Sequence, residues 1–518
     1  MRAMNAVTMP PVGDTTFREI LDAAAAATPE HVFCTFRGEA ITLGALDEAV
    51  NRVANGLLAR GLRPGDRVAL MLPSHPDHIV CIFALAKIGL VRVPINTGLQ
   101  GRSLEHPFTA FDVQALIADA AHAEVLAPIL DAHPLRLLVW RGGGQDGFAA
   151  LLAHPDAAPP PVAPGPDDII AITPSSGTTG APKGVLKSDR TLRAGPMAVL
   201  RITEAAPGDT FLFWEAMHHG AGVAVLIAAV MRRLTLGMVE RFSASRFWSQ
   251  AKEMGAARVH YLGSVLPMLL KQPEGPDDRA HGVPIAWGGG CPAQIWRGIE
   301  ERFGVTIREG YGLSELITFT TLNLTSKLGS IGHPLSWYEA KVMDEQGREL
   351  PPGETGELCF RALEPGLHFL GYFRNEAATR ECLRDGWFRS GDLARQDENG
   401  DLYFVGRAKD SVRRRGINIS AWEVERVLLE HPEIEECALV GVPSDIGEEE
   451  LKVFIRLVSG ARVDAAALHA WCGPRLPRFQ VPRFIAFVED FPRTPTQRIR
   501  KLDLPRGTVD SWDAEATR

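Results

Sequence analysis

The chain has 518 residues, of which 45% are hydrophobic and 23% charged, and its formal net charge is −8. This length exceeds one compact core, so we expect an ordinary globular protein of at least two domains, one large enough for a wide pocket. The acidic balance comes without a basic block or an aromatic RNA-binding motif, which argues against a nucleic-acid partner.

Cysteine usage and the N-terminus bear on compartment. The seven cysteines are scattered and form no C-x-x-C pair, which argues against a disulfide framework and a zinc site and favours reduced, buried thiols. The opening MRAMNAVTMPPVGDTTF lacks the apolar core of a signal peptide, and the longest apolar run, at about residues 220–231, is too short to span a bilayer. We therefore expect a cytoplasmic protein with no membrane span.

The first part of the chain alternates helices and strands. Between residues 16 and 135, helical stretches such as TLGALDEAVNRVANGLLARG alternate with short apolar strands such as RVALMLP and LVRVPIN. This pattern predicts an α/β fold with a mainly parallel sheet covered by helices. Residues 154–168, HPDAAPPPVAPGPDD, form a predicted proline-rich surface linker, and the strand IIAIT follows it.

The pattern changes near residue 408. Further strand and helix units run from about residue 205 to 400 and end in turn-rich β structure. Beyond GRAKD, an amphipathic helix in SAWEVERVLLEHPEI, begun by a Ser420 cap, and the strands CALVGVP and LKVFIRLV predict a small α+β unit. We expect a large N-terminal domain of mixed and parallel sheets with helices over residues 1–408, and a small α+β C-terminal domain over residues 409–518.

A glycine-rich loop directly after IIAIT carries the strongest chemical motif, TPSSGTTGAPKGV, residues 173–185. Its hydroxyls, its close-approach glycines and its lysine suit a phosphate chain better than a plain flexible turn. It is not a Walker A loop, because Pro182 precedes Lys183 and Gly184 follows it. The predicted phosphate-binding residues are Ser175, Ser176, Gly177, Thr178, Thr179, Gly180 and Lys183.

This loop resembles the phosphate loop of the adenylate-forming superfamily, which includes acyl-CoA synthetases, firefly-type luciferases and non-ribosomal peptide adenylation domains. GGGCPA (288–293), EGYGLSE (309–315), WFRSGD (387–392) and GRAKD (406–410) match further family motifs in family order, so the resemblance extends over roughly residues 15–505. Cys291 stands where relatives carry alanine, and Ser314 keeps the hydroxyl of the usual threonine.

The resemblance implies an ATP or AMP site with Mg²⁺. Tyr311 would stack on adenine, while Asp392 and Arg407 would hold the ribose hydroxyls from two sides. Glu315 would bind Mg²⁺ together with Thr178 and the ATP phosphates. The other residues of the implied nucleotide site are Gly289, Gly290, Cys291, Pro292, Gly310, Gly312 and Ser314.

The acyl side is marked by FWEAMHHGAG, residues 213–222. His218 aligns with a histidine that orients or gates the carboxylate pocket in relatives, although Met217 replaces the usual aromatic neighbour; the alternative is a satisfied core histidine. The segment lacks the aspartate that amino-acid-activating relatives use, which disfavours an α-amino acid. His219 and Gly310 are further predicted pocket residues.

The small residues Gly220, Ala221 and Gly222 leave two interpretations open. They give room for a bulky acyl group, or they allow a helix to pack against a close neighbour. FSASRFWSQ and ERFGVTIREGYGLSE look most like the crotonobetaine/carnitine-CoA ligase branch, and this likeness does not fix the acid.

In the resembled family the small domain is mobile and rotates about a hinge, here Lys409, between two half-reactions. One orientation brings in a glycine loop that builds the CoA tunnel, here RRRGINISAWEVE with Gly416. Arg413, Arg414 and Arg415 would then meet CoA phosphates, or they form a solvated cationic turn.

The other orientation brings a lysine onto the reacting carboxylate. That lysine aligns with Arg498 and its preceding glycine with Gln497, while Lys501 follows three positions later. Guanidinium is planar and larger than an ammonium, so the exchange is not conservative in a tight site. Losing one transition-state donor costs about 10²–10³ in rate, roughly 2.7–4 kcal/mol.

The hypothesis that follows is a thioester-forming enzyme that converts acyl-adenylate and CoA into acyl-CoA and AMP, with impaired adenylation and a separate adenylating ligase as partner. The complete ATP and Mg²⁺ site favours the competing hypothesis of a two-step ligase. An acyl-adenylate-binding protein without turnover and a carrier-protein-loading enzyme also stay open. The acid, the pathway and the choice between monomer and homodimer are not fixed by the sequence.

Overall fold

The computed structural model describes residues 6–144, 146–175, 182–263, 265–408, 411–414, 417–443, 449–493 and 498–516. These residues form two compact units. Unit one comprises the described residues of Met1–Ser175, Pro182–Glu339 and Arg361–Phe388, and unit two those of Ala340–Phe360 and Arg389–Arg518. By their contacts, residues 389–408 group with the C-terminal residues. The predicted domain boundary at 408/409 stays a prediction.

The helices begin where the sequence offers caps. Thr16 forms a capping box with Glu19, and Ser188 accepts a hydrogen bond from the amide of Thr191. The helices are α1 Phe17–Ala27, α2 Leu43–Ala59, α3 Pro76–Lys87, α4 Gly101–Ala110, α5 Ala123–Ala132, α6 Phe148–Leu152, α7 Asp189–Thr203, α8 Gly220–Arg232, α9 Phe247–Glu253, α10 Val265–Leu270, α11 Ala293–Phe303, α12 Glu376–Cys382, α13 Ala421–Leu429 and α14 Ala465–Cys472.

The strands are short. They are β1 Val32–Phe36, β2 Glu39–Thr42, β3 Arg67–Met71, β4 Val91–Pro94, β5 Ala115–Asp119, β6 Leu137–Arg141, β7 Ile169–Pro174, β8 Gly184–Ser188, β9 Thr210–Phe213, β10 Thr235–Met238, β11 Arg258–Leu262, β12 Ile285–Gly289, β13 Thr306–Tyr311, β14 Thr321–Asn323, β15 His333–Pro334, β16 Tyr338–Met343, β17 Thr355–Ala362, β18 Leu383–Arg384 and β19 Trp387–Gln396. The remaining strands are β20 Leu402–Arg407, β21 Ser411–Arg414, β22 Ile417–Ser420, β23 Ile434–Pro443, β24 Glu449–Leu457, β25 Phe484–Phe487 and β26 Trp512–Asp513.

Two sheets form unit one. The first has the order β6-β5-β3-β4-β7-β8 and is parallel except for the antiparallel pair β7 and β8. The second has the order β15-β14-β13-β12-β11-β9-β10-β1-β2 and is parallel from β13 to β1. The predicted mainly parallel α/β architecture is therefore confirmed. Parallel strands carry their binding residues at their carboxyl ends, which is where the predicted loops follow β7, β12 and β13.

The longest apolar run is a core helix. It forms α8, whose residues from Gly222 to Val230 are all buried, because a helix that is apolar on every side needs protein around it. Among the described helices, none combines the length and apolarity that a membrane crossing requires.

Unit two has the predicted α+β texture at its C-terminal end. The antiparallel hairpin β21-β22 and the sheet β23-β24-β25-β26 pack with α13 and α14 around one core, formed by side chains such as Val424, Leu439 and Val453. The predicted helix in SAWEVERVLLEHPEI and the two predicted strands that follow it are confirmed as α13, β23 and β24. A five-stranded sheet runs β16-β17-β19-β18, with β20 beside β19.

Candidate active site

The base of the glycine-rich loop is a closed hairpin in unit one. β7 and β8 pair antiparallel up to Pro174 and Gly184. The amide of Ser175 donates to the carbonyl of Lys183 at 2.7 Å, and the amide of Lys183 donates to Ser175 Oγ at 3.0 Å. The predicted ligands Ser176, Gly177, Thr178, Thr179 and Gly180 lie outside the described residues. The loop therefore leaves and rejoins the sheet at a fixed point.

A tyrosine links the lysine of that loop to the predicted metal ligand. The ammonium of Lys183 lies 4.8 Å from the ring centroid of Tyr372, and the hydroxyl of Tyr372 donates to Glu315 Oε1 at 2.8 Å. Burial, followed by the negative charge of Glu315, raises the pKa of Tyr372 above its ordinary value, so the phenol stays a proton donor. Lys183 and Glu315, predicted separately, thus converge on one side chain that the motif analysis missed.

The predicted adenine loop is anchored by a buried carboxylate. β12 and β13 pair in parallel with Gly288 opposite Glu309. Glu309 accepts hydrogen bonds from the amide of Gly290, from the amide of Cys291 at 3.2 Å and from the hydroxyl of Tyr261. Burial outweighs these hydrogen bonds and raises the pKa of Glu309 to about 8.

Glycine is required at two positions beside the predicted adenine site. Gly290 has a φ of +91°, a left-handed conformation that favours glycine, and a Cβ at Gly312 would lie 2.0 Å from the carbonyl oxygen of Thr318. Tyr311 ends β13 half-buried, Ser314 is exposed, and Pro292 precedes α11 as its N-cap. Cys291 is buried, and burial raises its thiol pKa, so the thiol stays protonated.

His218 is held neutral. Burial is the main reason that the pKa of His218 falls to about 3, and positive charge at His219, His78 and Arg92 lowers it further. The rings of His218 and His219 lie 4.4 Å apart between centroids. Within the described part of the chain nothing hydrogen-bonds to the His218 imidazole. This favours the orienting role over a satisfied core histidine, and the role stays a prediction.

Gly220 and Gly222 fit different interpretations, the first room for an acyl group and the second close packing of a helix. A Cβ at Gly220 would meet open space, whereas a Cβ at Gly222 would lie 2.8 Å from the carbonyl oxygen of Ala216. Gly222 is therefore small because α8 packs against the preceding turn. Gly310 is small for a similar reason, since its Cβ would lie 2.4 Å from the ring of Phe319.

The predicted ribose ligands lie side by side in unit two. Asp392 and Arg407 are register partners of the antiparallel pair β19 and β20, with Arg407 Nε 3.4 Å from Asp392 Oδ1. Arg498 lies close to this pair. Desolvation of the guanidinium and then the charge of Arg407 lower the pKa of Arg498, while the Asp392 carboxylate opposes them. Arg498 is exposed as a whole residue, so the desolvated part is its guanidinium end.

Comparison with known proteins agrees with these motifs. The model of the AMP-binding enzyme family matches residues 21–373, and that of the AMP-binding enzyme C-terminal domain matches residues 423–498. The chain belongs to the AMP-binding enzyme family. Crotonobetaine/carnitine–CoA ligases of Salmonella paratyphi A and Salmonella arizonae are 32% and 30% identical to it, over 89% and 91% of this chain and 92% and 94% of theirs.

Solved structures share the fold of this AMP-binding enzyme. ATP-bound MatB from Rhodopseudomonas palustris superposes with a TM-score of 0.84 at 25% identity and covers 94% of this chain and 97% of its own. The o-succinylbenzoate CoA synthetase of Bacillus subtilis, in complex with its acyl-adenylate, superposes with a TM-score of 0.85 at 22% identity and covers 96% and 99%. The predicted superfamily and its acyl-CoA ligase branch are confirmed.

The C-terminal cations of this AMP-binding enzyme are engaged in different ways. Arg493 Nη1 donates to Glu436 Oε1 at 2.9 Å, Arg500 Nε lies 3.1 Å from Asp503 Oδ2, and Lys501 Nζ lies 2.8 Å from Glu425 Oε1. These three cations each pair with a carboxylate of unit two, whereas Arg498 interacts electrostatically with Asp392 and Arg407.

One predicted CoA ligand needs correction. Arg414 is buried, forms an ion pair with Glu450 and donates to the carbonyls of Phe479 and Val481 at 2.9 and 3.1 Å. A buried guanidinium that is engaged by one carboxylate and two carbonyl oxygens is neither a phosphate ligand nor part of a solvated turn. The predicted hinge and CoA residues Lys409, Arg415 and Gly416, and the substituted Gln497, lie outside the described residues.

Sequence reasoning missed the buried polar residues of this AMP-binding enzyme. Glu309 stands inside the quoted motif EGYGLSE, but its role depends on Tyr261, 48 residues earlier. Tyr372 belongs to none of the quoted motifs. Arg92 and His78, whose charges act on His218, occupy apolar strand and helix patterns that predict only core.

Proposed function

We propose that this acyl-CoA ligase catalyses mainly the second half-reaction of its family. The thiol of CoA attacks the carbonyl carbon of an acyl-adenylate, the bond to the phosphate oxygen breaks, and AMP leaves with that oxygen as acyl-CoA forms. A separate ligase supplies the adenylate. The observation that supports this proposal is Arg498 at the lysine position, beside Asp392 and Arg407.

The lysine of the same C-terminal segment, Lys501, is already paired with a carboxylate. Lys501 is the only lysine in the segment FPRTPTQRIRKLDL, and its ammonium is paired with Glu425 at 2.8 Å. Both side chains of this pair are largely buried, with 20% and 14% exposure, so leaving it would cost Lys501 a desolvated ion pair. The positive charge that remains near Asp392 and Arg407 is the planar guanidinium of Arg498, whose donors are held in a fixed fork.

Carboxylate attack on ATP should suffer from this exchange more than thioester formation. The lysine of relatives acts on the reacting carboxylate and the α-phosphate, where one well-placed donor contributes about 10²–10³ in rate. Thioester formation starts from an already activated mixed anhydride and uses the glycine loop with Gly416 instead. His218, held neutral, orients the acyl group in either step without adding charge.

The remaining predicted ligands keep their roles in this proposal. Lys183 and the glycine-rich loop hold phosphate, Tyr311 stacks on adenine, and Asp392 with Arg407 holds the ribose. Glu315, oriented by Tyr372, and Thr178 bind Mg²⁺ when ATP is present. ATP, AMP and CoA are the expected cofactors. The two Salmonella relatives are ligases for crotonobetaine or carnitine, and no described feature transfers that acid to this chain.

The deciding experiment compares two half-reactions on the full chain. One assay measures acid-dependent ATP–pyrophosphate exchange over a panel of carboxylic acids, and the other follows CoA consumption from the synthetic adenylates of the same acids. We expect CoA consumption without exchange. Robust exchange by the wild-type protein would overturn the proposal in favour of the two-step ligase, and adenylate binding without CoA consumption would favour the binding protein.

Variants test the cause. We expect Arg498→Lys, alone or with Gln497→Gly, to raise exchange by about 10²–10³. The matched control is Arg500→Lys, which makes the same exchange two positions away in a pair with Asp503. If the double variant gains no exchange while it still consumes CoA from adenylates, the defect does not lie at Arg498.

A further inference from the structure

Arg92 is a buried cation without a counter-charge. It stands in the middle of β4, only 3% exposed, with Val91 and Val93 on either side in the core. Within the described residues its guanidinium makes one hydrogen bond, from Nη1 to the carbonyl oxygen of Met217 at 3.2 Å. A buried guanidinium that lacks a carboxylate is costly, because a neutral carbonyl does not replace the lost hydration of a full charge.

Two other buried cations of the described chain pair with carboxylates, whereas Lys187 donates to the carbonyl oxygen of Leu316. Lys87 lies 2.5 Å from carboxylate oxygens of both Asp22 and Asp47, and Arg193 Nε lies 2.5 Å from Asp189 Oδ1. Burial lowers the pKa of Arg92 to about 10, so Arg92 is charged at neutral pH. Arg92 differs from Lys87 and Arg193 in having no acidic partner among the described residues.

Among the described residues, no carboxylate forms an ion pair or a hydrogen bond with Arg92. The cavity that Arg92 lines, together with apolar side chains of α1, α3, β7, α7 and α8, measures about 20 Å³. That is room for one water molecule.

The guanidinium of Arg92 interacts electrostatically with two histidines, His78 and His218. The His78 ring is 2% exposed, and its Nδ1 lies 3.2 Å from the carbonyl oxygen of Pro73, whereas its Nε2 has no partner in the described residues. Nε and Nη2 of Arg92 make no hydrogen bond within the described residues.

We propose that Arg92 binds a second carboxylate of the acyl substrate, so that the acid is a dicarboxylic acid. This proposal rests on the acyl-CoA ligase function proposed above. The site lies at the Met217–His218 turn of the predicted acyl segment, where the Met217 carbonyl accepts from Arg92, and Gly220 in the first turn of α8 faces open space. The carboxylate replaces lost hydration with charge-assisted hydrogen bonds from the Arg92 fork.

Binding measurements without ATP or CoA test this site apart from catalysis. Titration calorimetry on the full chain uses linear and benzene dicarboxylates and the monomethyl ester of each. We expect at least one diacid to bind wild-type protein at least about tenfold more tightly than its monoester, since a desolvated charge pair is at stake. The Arg92→Leu variant should bring this ratio to about one, while Arg92→Lys keeps part of it.

The control is Arg136→Leu, which removes an arginine with 52% exposure from the surface of unit one and should leave the ratio unchanged. A wild-type protein that shows no preference for any diacid overturns the proposal, whatever the variants do. Equal weakening of diacid and monoester by Arg92→Leu also overturns it, because the bound group would then be the reacting carboxylate. Should Arg92→Leu not fold, the wild-type ratio and Arg92→Lys decide alone.

Discussion

The pH dependence of stability should contain a large contribution from Glu309. Its pKa is raised from 4.5 to about 8, chiefly by burial, so the folded protein holds a proton that the unfolded chain releases between these values. The stabilisation is therefore complete below pH 4.5 and is lost as the pH rises through 8. At 1.36 kcal/mol for each pH unit, the full difference is about 5 kcal/mol.

The Glu309→Gln variant isolates this contribution. Glutamine stays neutral at every pH, can accept from the amides of Gly290 and Cys291, and can donate to the oxygen of Tyr261. Relative to wild type, its free energy of unfolding should be level below pH 4.5 and rise to an advantage of about 5 kcal/mol above pH 8. Urea unfolding at a series of pH values, followed by tryptophan fluorescence, measures the difference.

Removing the hydroxyl of Tyr261 provides the control. Its hydrogen bond lowers the pKa of Glu309, so Tyr261→Phe should extend the window of pH dependence upward. A difference between wild type and Glu309→Gln that does not change with pH would mean that Glu309 is ionised in the fold at its ordinary pKa. That result would refute the assignment of a protonated anchor to the adenine loop.

Two further predictions concern packing and the C-terminal loop. Gly312→Ala should destabilise unit one by about 2–4 kcal/mol in urea unfolding, because its Cβ would lie 2.0 Å from the Thr318 oxygen, while Gly220→Ala, which meets open space, should change little. Lys501→Met should lower the stability of unit two by about 1–3 kcal/mol, because it leaves Glu425 without its partner lysine. The rate of CoA consumption from adenylates should stay within about twofold of wild type. A large loss of turnover in a folded variant would identify Lys501 as the missing catalytic cation.

Local sequence patterns predicted those parts of the fold whose causes are local. The alternation of β-branched strands with amphipathic helices predicted β7, α13, β23 and β24, because periodicity and caps act within a few residues. The glycine-rich loop was identified from its own residues, and the Tyr311 motif through its resemblance to the family. Gly312 is glycine because the backbone of Thr318 lies against it, only six residues along the chain.

The unpredicted features depend on contacts between distant segments. In sequence Arg92 is a polar residue in an apolar strand, and only the packing of α3, α8 and the Met217 turn shows that it lacks a partner. Arg414 looked like a phosphate ligand until β24 supplied Glu450. The boundary at residue 408 followed a change of composition and stays a prediction; by their contacts, residues 389–408 group with the C-terminal residues.

If both proposals hold, the acyl-adenylate that this enzyme takes carries a further carboxylate. An acyl-adenylate has already lost the charge of its reacting carboxyl, and in the proposed function its phosphate binds Lys183 and the glycine-rich loop. The counter-charge proposed for Arg92 then comes from elsewhere in the acyl group. A protein that activates free acids offers Arg92 the ionised reacting carboxylate instead, and in that case diacid and monoester bind alike. Pyrophosphate exchange and the diacid-to-monoester ratio should therefore change together: absent exchange requires a ratio well above one, and robust exchange permits a ratio of one.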